Sequence, residues 1–207
     1  MHFVAKGGVP GDYLEFGVFR GASFIRAMKI HEFLFRRKQQ LEAMNFYAFD
    51  SFQGLPEISN AVDKEVEQFA DGQYAAGHDL FVRNLKKAKV DMSRVHVVEG
   101  YYEQSLAQSK KAGLNLTSAA IIHIDCDLYE STAQVLDFAT EYVVDGTVIL
   151  FDDWLCFKGH PRRGERLAFT EWLERNPRFS ATEWYRVGWQ ATSFIIHDHD
   201  LRDGVPR

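Results

Sequence analysis

The sequence predicts an α/β protein of three layers, with helices on both faces of a mostly parallel β-sheet. Two apolar runs support this prediction, AAIIHIDCD at Ala119–Asp127 and GTVILFDDW at Gly146–Trp154. Buried parallel strands are almost continuously hydrophobic, as these runs are. Helical patterns separate the strand-like segments, and this alternation is typical of parallel strands joined by right-handed crossovers.

The predicted elements follow one another along the chain. Further strands are predicted at Tyr13–Phe16, Asn45–Phe49 and Val95–Val98. Helices are predicted at Phe24–Arg37, around Phe81, Leu85 and Ala88, at Val135–Val144 with Gly146 as a stop signal, and at Arg166–Glu174. A closing antiparallel hairpin around Gly188-Trp189 is predicted from Thr182–Val187 and Gln190–His197.

One connection is longer than the fold requires. The segment Gly54–Gly77 is polar, contains glycine and lacks a clear strand or helix pattern. Connections of this length in compact domains are usually functional, so we expect a lid or substrate loop. No internal repeat is visible, and residues 1–207 are expected to form a single domain.

Composition narrows the functional class. The 207 residues carry a formal net charge of -5, which argues against nucleic acid as a partner because phosphate binding favours a basic surface. The sequence has no apolar run long enough to cross a membrane and no long signal core, so a cytoplasmic protein without membrane attachment is expected. Cys126 and Cys156 do not form a disulfide framework.

Aspartates end both apolar runs. Asp125, Asp152 and Asp153 are expected to meet at the carboxyl edge of the sheet, where open α/β folds bind ligands. Carboxylates so close together repel one another, and oxygen donors favour a hard ion such as Mg²⁺ over zinc. Asp127 would share the face of Asp125 if the strand continues that far. The alternative interpretation is that these aspartates are helix caps and polar strand ends.

The first predicted turn, YLEFGVFRGAS, has Gly17 and Gly21 four residues apart and Glu15 just before them. Glycine at a strand-to-helix turn allows the backbone to approach a ligand closely. The dinucleotide pattern G-x-G-x-x-G is absent, and the acidic Glu15 argues against a pyrophosphate. The turn therefore favours a ligand with a cationic or zwitterionic part. The alternative interpretation is that the two glycines only allow the backbone to turn and bind no ligand.

Four motifs, in order, resemble the macrocin O-methyltransferase family of class I sugar methyltransferases, which depend on S-adenosylmethionine and Mg²⁺. They are LEFGVFRGAS at Leu14–Ser23, FDSFQGLPE at Phe49–Glu57, HIDCDLYEST at His123–Thr132 and VILFDDW at Val148–Trp154. The resemblance implies a Rossmann-like, seven-stranded sheet whose last strand is antiparallel. It also implies an O-methyltransferase of natural-product biosynthesis that acts on a hydroxylated small molecule, such as a sugar or glycoside.

The resemblance also implies roles for individual residues. Asp50 would bind the ribose hydroxyls of the cofactor, and the cofactor-binding set as a whole is Glu15, Gly17, Gly21, Ser23, Asp50, Ser51, Phe52, Gly100 and Tyr101. The implied metal ligands are Asp125, Asp152 and Asp153. Asp125 is also the first candidate for the general base, and His123 is the second unless it is simply buried and hydrogen-bonded. Family members carry a longer region before the first motif, and the resemblance implies that this region contributes to substrate binding and assembly. The identity of the acceptor and a possible homo-oligomeric state therefore stay open.

Two other functions fit parts of the sequence. Asp125-Cys126-Asp127 is a D-x-D motif, which is compatible with a metal-dependent glycosyltransferase. A non-catalytic relative that binds S-adenosylmethionine would keep the fold, although the three intact aspartates argue against it. The basic loop with His160, Arg162 and Arg163 would either bind an anionic acceptor or be a solvated surface.

Overall fold

The sheet confirms the predicted fold class. The computed structural model describes residues 1–35, 44–64 and 69–200. Its strands are β1 Asp12–Phe16, β2 Phe46–Asp50, β3 Val95–Glu99, β4 Ala119–Ile124, β5 Val143–Phe151, β6 Phe179–Val187 and β7 Ala191–Asp198. They form one seven-stranded sheet in the order β3-β2-β1-β4-β5-β7-β6. Strands β1 to β5 pair in parallel, whereas β7 is antiparallel to both β5 and β6.

Helices connect the parallel strands and cover both faces of the sheet. They are α1 His2–Gly7, α2 Ala22–Phe35, α3 Ala61–Lys64, α4 His78–Lys87, α5 Tyr102–Ala112, α6 Tyr129–Ala139 and α7 Gly164–Arg175, with short 3₁₀ turns at Met92–Arg94 and Thr140–Tyr142. Among the described residues, no helix combines the length and the apolar character that a membrane crossing needs.

Strand alternation divides the core into two layers. Leu14 and Phe16 of β1 pack in one buried cluster with Trp172 of α7. Tyr13 of β1 packs in the other cluster with Phe24 of α2. Because successive side chains of a strand point to opposite faces, one short apolar strand supplies both layers and fixes the sheet between them.

The predicted helix Val135–Val144 is wrong in its bounds. Helix α6 already begins at Tyr129 and ends at Ala139, and Val143 is the first residue of β5. Gly146 is therefore not a helix stop signal but a strand residue with a φ of +86°. A Cβ at this glycine would lie 2.8 Å from a methyl carbon of Val9, so close packing against the N-terminal segment explains the residue.

Other predicted bounds shift by a few residues. Helix α2 begins at Ala22 rather than Phe24, and the predicted residues Arg36 and Arg37 lie outside the described residues. The two apolar runs stop as strands at Ile124 and Phe151, before their aspartates. The closing hairpin is confirmed, because β6 and β7 pair with each other across Gly188 and Trp189.

The ends of β1 and β4 approach each other closely at Gly17. Its φ is +86°, and a Cβ there would lie 1.7 Å from the carbonyl oxygen of Asp125. The amide of Asp125 donates to the carbonyl of Phe16 at 2.8 Å, and the amide of Gly17 donates to that of Phe49 at 2.9 Å. Only a residue without a side chain fits this contact, which places Asp125 beside the first turn.

The described part of the lid segment Gly54–Gly77 is joined to helix α6 through Asp63 of α3. Asp63 is only 1% exposed. Its carboxylate accepts hydrogen bonds from the amides of Tyr129 at 2.8 Å and Glu130 at 3.3 Å, and from the side chain of Asn60 at 2.6 Å. This segment thus supplies an N-terminal cap for α6, where a carboxylate also interacts favourably with the helix dipole.

We predict that Gly17→Ala destabilises the protein by about 1–3 kcal/mol or more, because the new Cβ meets backbone and the φ is unfavourable for alanine. The measurement is the free energy of unfolding in urea. Gly77→Ala is the matched control, since a Cβ there has no neighbour within 4 Å. Equal stability of the two variants would contradict the close contact between Gly17 and Asp125.

We predict that Asp63→Ala lowers the free energy of unfolding by about 0.5–2 kcal/mol, the usual range for a lost N-terminal cap. Asp63→Asn should retain part of this stability because an amide oxygen also accepts from backbone N–H groups. Limited proteolysis should cut Asp63→Ala faster within residues 54–77 than the parent protein. Unchanged stability and protease resistance would show that the lid does not depend on this cap.

Candidate active site

A cavity of about 800 Å³ lies at the carboxyl edge of the parallel strands. Its wall includes residues that follow successive strand ends, namely Gly17, Ser51, Gly100, Asp125 and Asp152. The lid segment covers another side through residues 54–60, Gln73 and Tyr74. This volume lies in the range of small-molecule sites, and the position is the one at which open α/β sheets bind ligands.

The structure brings most of the predicted site residues to this cavity. The ones that line it are Gly17, Asp50, Ser51, Gly100, Tyr101, Asp125, Asp152 and Asp153. The others lie outside the described lining, and they are Glu15, Gly21, Ser23, Phe52 and His123. The residues of the first group line the cavity at the carboxyl edge of the sheet, whereas those of the second group lie outside this lining.

Glu15 is fully buried within the fold. Its carboxylate accepts a hydrogen bond from the hydroxyl of Ser23 at 2.5 Å and another from the hydroxyl of Tyr13. The Nδ1 atom of His123 lies 3.5 Å from Glu15 Oε2. Glu15 therefore ties β1, β4 and the start of α2 together beneath the first turn.

His123 belongs to the same buried network. Burial favours a lower pKa for His123, but the hydrogen bond and charge of Glu15 and the charge of Asp125 oppose it, and the resulting pKa is about 8. Its Nε2 atom is buried and has no hydrogen-bond partner among the described residues. This position suits a residue that acts through its neighbours better than one that touches a ligand.

Asp50 is at the end of β2, and its carboxylate holds the first turn. Oδ2 accepts the amides of Val18 at 2.8 Å and Phe19 at 3.0 Å, and Oδ1 accepts the amide of Phe52 at 2.7 Å. Asp50 lines the cavity, and each carboxylate oxygen can accept two hydrogen bonds, so Oδ1 has capacity for a second donor. Asp50 thus shapes the glycine turn and can still accept a ligand hydroxyl.

The predicted residues that follow β2, together with Gly21 of the first turn, divide between cavity and core. Ser51 lines the cavity and donates from its hydroxyl to the carbonyl of Gly54 at 2.8 Å. Phe52 packs instead against Phe81, with ring centroids 5.7 Å apart. A Cβ at Gly21 would also meet the ring of Phe81, at 2.9 Å, so Gly21 serves the packing of the turn on α4.

The acidic cluster is the most concentrated charge in the site. Asp125, Asp152 and Asp153 each offer a carboxylate oxygen, and these atoms all lie within 4.8 Å of one another. Asp153 is 5% exposed, and its Oδ2 atom has no hydrogen-bond partner among the described residues. Three converging oxygen ligands, one of them buried and unpaired, fit a hard divalent cation such as Mg²⁺.

The electrostatics of the cluster agree with this fit. Burial raises the pKa of Asp125 to about 8, with His123 opposing and the charges of Asp152 and Asp153 adding to the shift. Burial likewise raises the pKa of Asp153. Carboxyl groups in this arrangement cannot all ionise cheaply unless a positive charge lies between them.

Asp127 reaches the cavity by a route that strand alternation did not predict. Strand β4 ends at Ile124, and Asp127 has a left-handed φ of +63°. Burial and the charges of Asp153 and Asp125 raise the pKa of Asp127 to about 9. It therefore faces the acidic cluster because of the turn and not because the strand continues.

Two residues that support the cluster were missed from the sequence. Gln190 lines the cavity, and its amide nitrogen lies 3.4 Å from carboxylate oxygens of both Asp152 and Asp153. Glu165 of α7 is buried behind them and accepts the amide of Asp153 at 3.0 Å. Neither belongs to a motif, and their distance from the aspartates in sequence hides the contact.

The basic loop, for which anion binding and a solvated surface were both open, does not border the described part of the cavity. His160, Arg162 and Arg163 are outside its described lining. The amide of Arg162 donates to His160 Nδ1 at 3.1 Å, and Arg163 precedes α7. The described geometry agrees with the alternative of a solvated surface loop.

Comparison with known proteins relates this arrangement to one family. A sequence profile for Macrocin-O-methyltransferase (TylF) matches residues 1–171. The chain is 31% identical over 157 residues to 8-demethyl-8-(2,3-dimethoxy-alpha-L-rhamnosyl)-tetracenomycin-C 4'-O-methyltransferase of Streptomyces olivaceus, which covers 73% of this chain and 56% of that protein. It is 26% identical over 155 residues to Mycinamicin III 3''-O-methyltransferase of Micromonospora griseorubida, with 72% and 57% covered. The chain thus spans little more than half the length of these curated relatives.

Solved structures agree on the fold. The O-methyltransferase NovP matches with a TM-score of 0.76 at 22% identity, covering 94% of this chain and 75% of that one. Apo CalS11, described as a TDP-rhamnose 3'-O-methyltransferase, matches with a TM-score of 0.62 at 19% identity, covering 91% and 73%. The fold is therefore that of class I methyltransferases. Together with the profile match over most of its length, this shows that the chain belongs to the macrocin-O-methyltransferase family.

Proposed function

We propose that the protein transfers a methyl group from S-adenosylmethionine to a hydroxyl of a sugar or glycoside, with Mg²⁺ bound by Asp125, Asp152 and Asp153. The observation that carries the proposal is that one cavity joins the glycine turn at Gly17 to this carboxylate cluster. Family membership and relatives named as O-methyltransferases of glycosylated natural products support the reaction type.

The cofactor would occupy the side of the cavity formed by the first three parallel strands. Gly17 exposes backbone to the ligand, and Asp50 has an acceptor site for a ribose hydroxyl. Gly100 and Tyr101 follow β3 and would border the adenine. Glu15 would act on the methionine end through Ser23 and the turn rather than by direct contact, because it lies outside the described lining.

The acceptor hydroxyl would lie next to the carboxylate cluster. Bound Mg²⁺ would lower the pKa of that hydroxyl and orient it. Asp125 is the best placed residue to take the proton, because it lines the cavity and lies beside the first turn. His123 would instead hold a proton beneath Asp125, since its ring is tied to Glu15.

The two alternative functions have less support. A glycosyltransferase would depend on Asp125-Cys126-Asp127, but the matching profile and relatives are methyltransferases. A non-catalytic binding protein would have no use for three carboxylates whose oxygen atoms lie within 4.8 Å of one another. Release of S-adenosylhomocysteine in the presence of an acceptor separates the methyltransferase from both.

We predict that S-adenosylhomocysteine binds without metal and that Asp50→Ala weakens binding by about 1.5–3 kcal/mol, or roughly ten- to hundredfold, because a hydrogen bond to a charged acceptor is lost. Isothermal titration calorimetry measures the dissociation constant. Asp137→Ala is the control, because Asp137 pairs with Arg175 at the surface outside the cavity. An unchanged affinity in a folded Asp50→Ala variant would remove Asp50 from the cofactor site.

We predict that methyl transfer requires Mg²⁺ or Mn²⁺, is lost with a chelator, and is lost in Asp153→Ala. Asp153→Ala should also lose Mn²⁺ binding, measured by electron paramagnetic resonance, while its affinity for S-adenosylhomocysteine changes little. Its fold should survive because one of several repelling carboxylates is removed. Full activity in excess chelator would rule out the metal-dependent mechanism and leave Asp125 as a simple general base.

A further inference from the structure

The sheet ends on a strand with an unpaired outer edge and an exposed C-terminal half. Strand β6 is the last of the seven, and among the described strands it pairs with β7 alone. Every residue from Thr182 to Trp189 is exposed. Unpaired strand edges are templates for pairing with another chain, and proteins often protect them with lysine or proline. The segment Phe179–Val187 contains neither residue, so its composition leaves this edge open.

The exposed half of β6 and the turn after it carry an apolar patch. Four large apolar side chains are exposed within six consecutive positions, and they are Trp184 (45%), Tyr185 (65%), Val187 (49%) and Trp189 (67%). At about 150–250 Å² for each aromatic side chain, this β6 patch exposes on the order of 400 Å². Patches of this size mark interaction surfaces. The patch is about half of the ~800 Å² that one partner contributes to a stable interface.

A β-bulge sorts the side chains of β6 onto two faces. Trp184 lies between Glu183 and Tyr185, where the register with β7 shifts. Glu183 and Arg186 consequently share one face of the sheet, and their side chains form an ion pair at 2.6 Å. Tyr185 and Val187 belong to the opposite face, where the ring centroid of Trp184 lies 6.5 Å from that of Tyr185. One face of the edge is therefore charged and the other is apolar.

The order of these side chains is symmetrical about the bulge. In either direction from the midpoint between Trp184 and Tyr185, an aromatic residue comes first and a charged residue second. If two copies of β6 lie antiparallel with a two-fold axis at this midpoint, Glu183 of each copy lies opposite Arg186 of the other. An axis perpendicular to the sheet keeps the apolar faces on the same side, so Trp184 lies opposite Tyr185. A bulge often turns an edge strand away from partners, but this one makes the strand complementary to itself.

The charge of the chain favours the same place of contact. Two copies with a net charge of -5 each repel one another at most of their surface. Residues Phe179–Trp189 have one glutamate and one arginine, so their net charge is zero. Contact along β6 therefore brings together neutral segments whose two charges are each matched by an opposite charge.

We propose that two copies of this chain associate through β6, antiparallel about a two-fold axis between Trp184 and Tyr185. The β6 patches then cover each other, and two ion pairs between Glu183 and Arg186 cross the interface. No residue of Phe179–Trp189 belongs to the described lining of the cavity, so the inference does not depend on the proposed function.

The first test is the mass in solution, measured by sedimentation equilibrium at micromolar concentration. We expect the 23.8 kDa chain to sediment as a dimer. Glu183→Arg and Arg186→Glu should each weaken association at least about tenfold, because like charges then face each other. Asp137→Arg is the matched control, since it makes the same change of charge in the surface ion pair of Asp137 with Arg175. A monomeric parent, or a dimer that neither β6 variant weakens, would overturn the proposal.

The apolar side of the interface has its own variant. Tyr185→Ser should weaken association at least about tenfold, because aromatic residues at the centre of an interface contribute much of its binding energy. Ile30→Ser is the control, since Ile30 is exposed on α2, away from β6. Circular dichroism and urea unfolding establish that both variants are folded. Equal association of the Tyr185→Ser variant and the parent would place the contact elsewhere and contradict the proposal.

A mixture of the two charge variants separates contact between copies from the ion pair within one chain. Neither Glu183→Arg nor Arg186→Glu can restore its own ion pair. In a mixed dimer, however, each arginine of one copy faces a glutamate of the other. With a donor dye on one variant and an acceptor dye on the other, we expect energy transfer and an affinity within a few-fold of the parent dimer. No energy transfer in the mixture would rule out the proposed register.

Discussion

The close contact between Gly17 and the carbonyl of Asp125 sets the geometry on which the site depends. It joins the ends of two neighbouring parallel strands, β1 and β4. Hydrogen bonds to the carbonyls of Phe16 and Phe49 hold the strand ends in the same place. The first turn and Asp125, a proposed metal ligand, are therefore parts of one backbone arrangement. A change that separates these two strands would therefore alter the distance between the proposed cofactor site and the proposed metal site.

Beneath this contact lies a buried network that sets the electrostatics of the site. Glu15 receives hydrogen bonds from Tyr13 and Ser23 and lies beside His123, so its buried carboxyl group is surrounded by polar neighbours. The hydrogen bond and charge of Glu15 help to raise the pKa of His123, and His123 in turn opposes the rise in the pKa of Asp125 that burial causes. Buried charges of this kind require partners, and here each partner comes from a different element of the fold.

The segment 54–77 contacts the acidic side of the cavity as well as the side proposed for the cofactor. Asp63 caps the helix whose first turn lines the wall, and Tyr74 meets Phe19 with ring centroids 6.2 Å apart. One segment thus contacts both the turn after β1 and the start of α6.

The sequence by itself determined the fold class and most of the cavity's edge. Apolar strands that end on aspartates, a glycine turn and a closing hairpin identified the sheet, and eight of the predicted site residues line the cavity. These signals are local, because a strand, its end and the turn that follows it are contiguous in the chain.

Tertiary structure decided which of the remaining residues line the cavity. Phe52 and Gly21 pack against α4, and Glu15 and His123 lie beneath the site, although their motifs suggested contact. Gln190 and Asp63 act on partners far away in the chain, so no spacing in the sequence reveals them. The absence of a basic side chain from the described wall is likewise a property of the folded cavity, because the same chain carries 24 lysines and arginines that the fold places elsewhere or leaves outside the described residues.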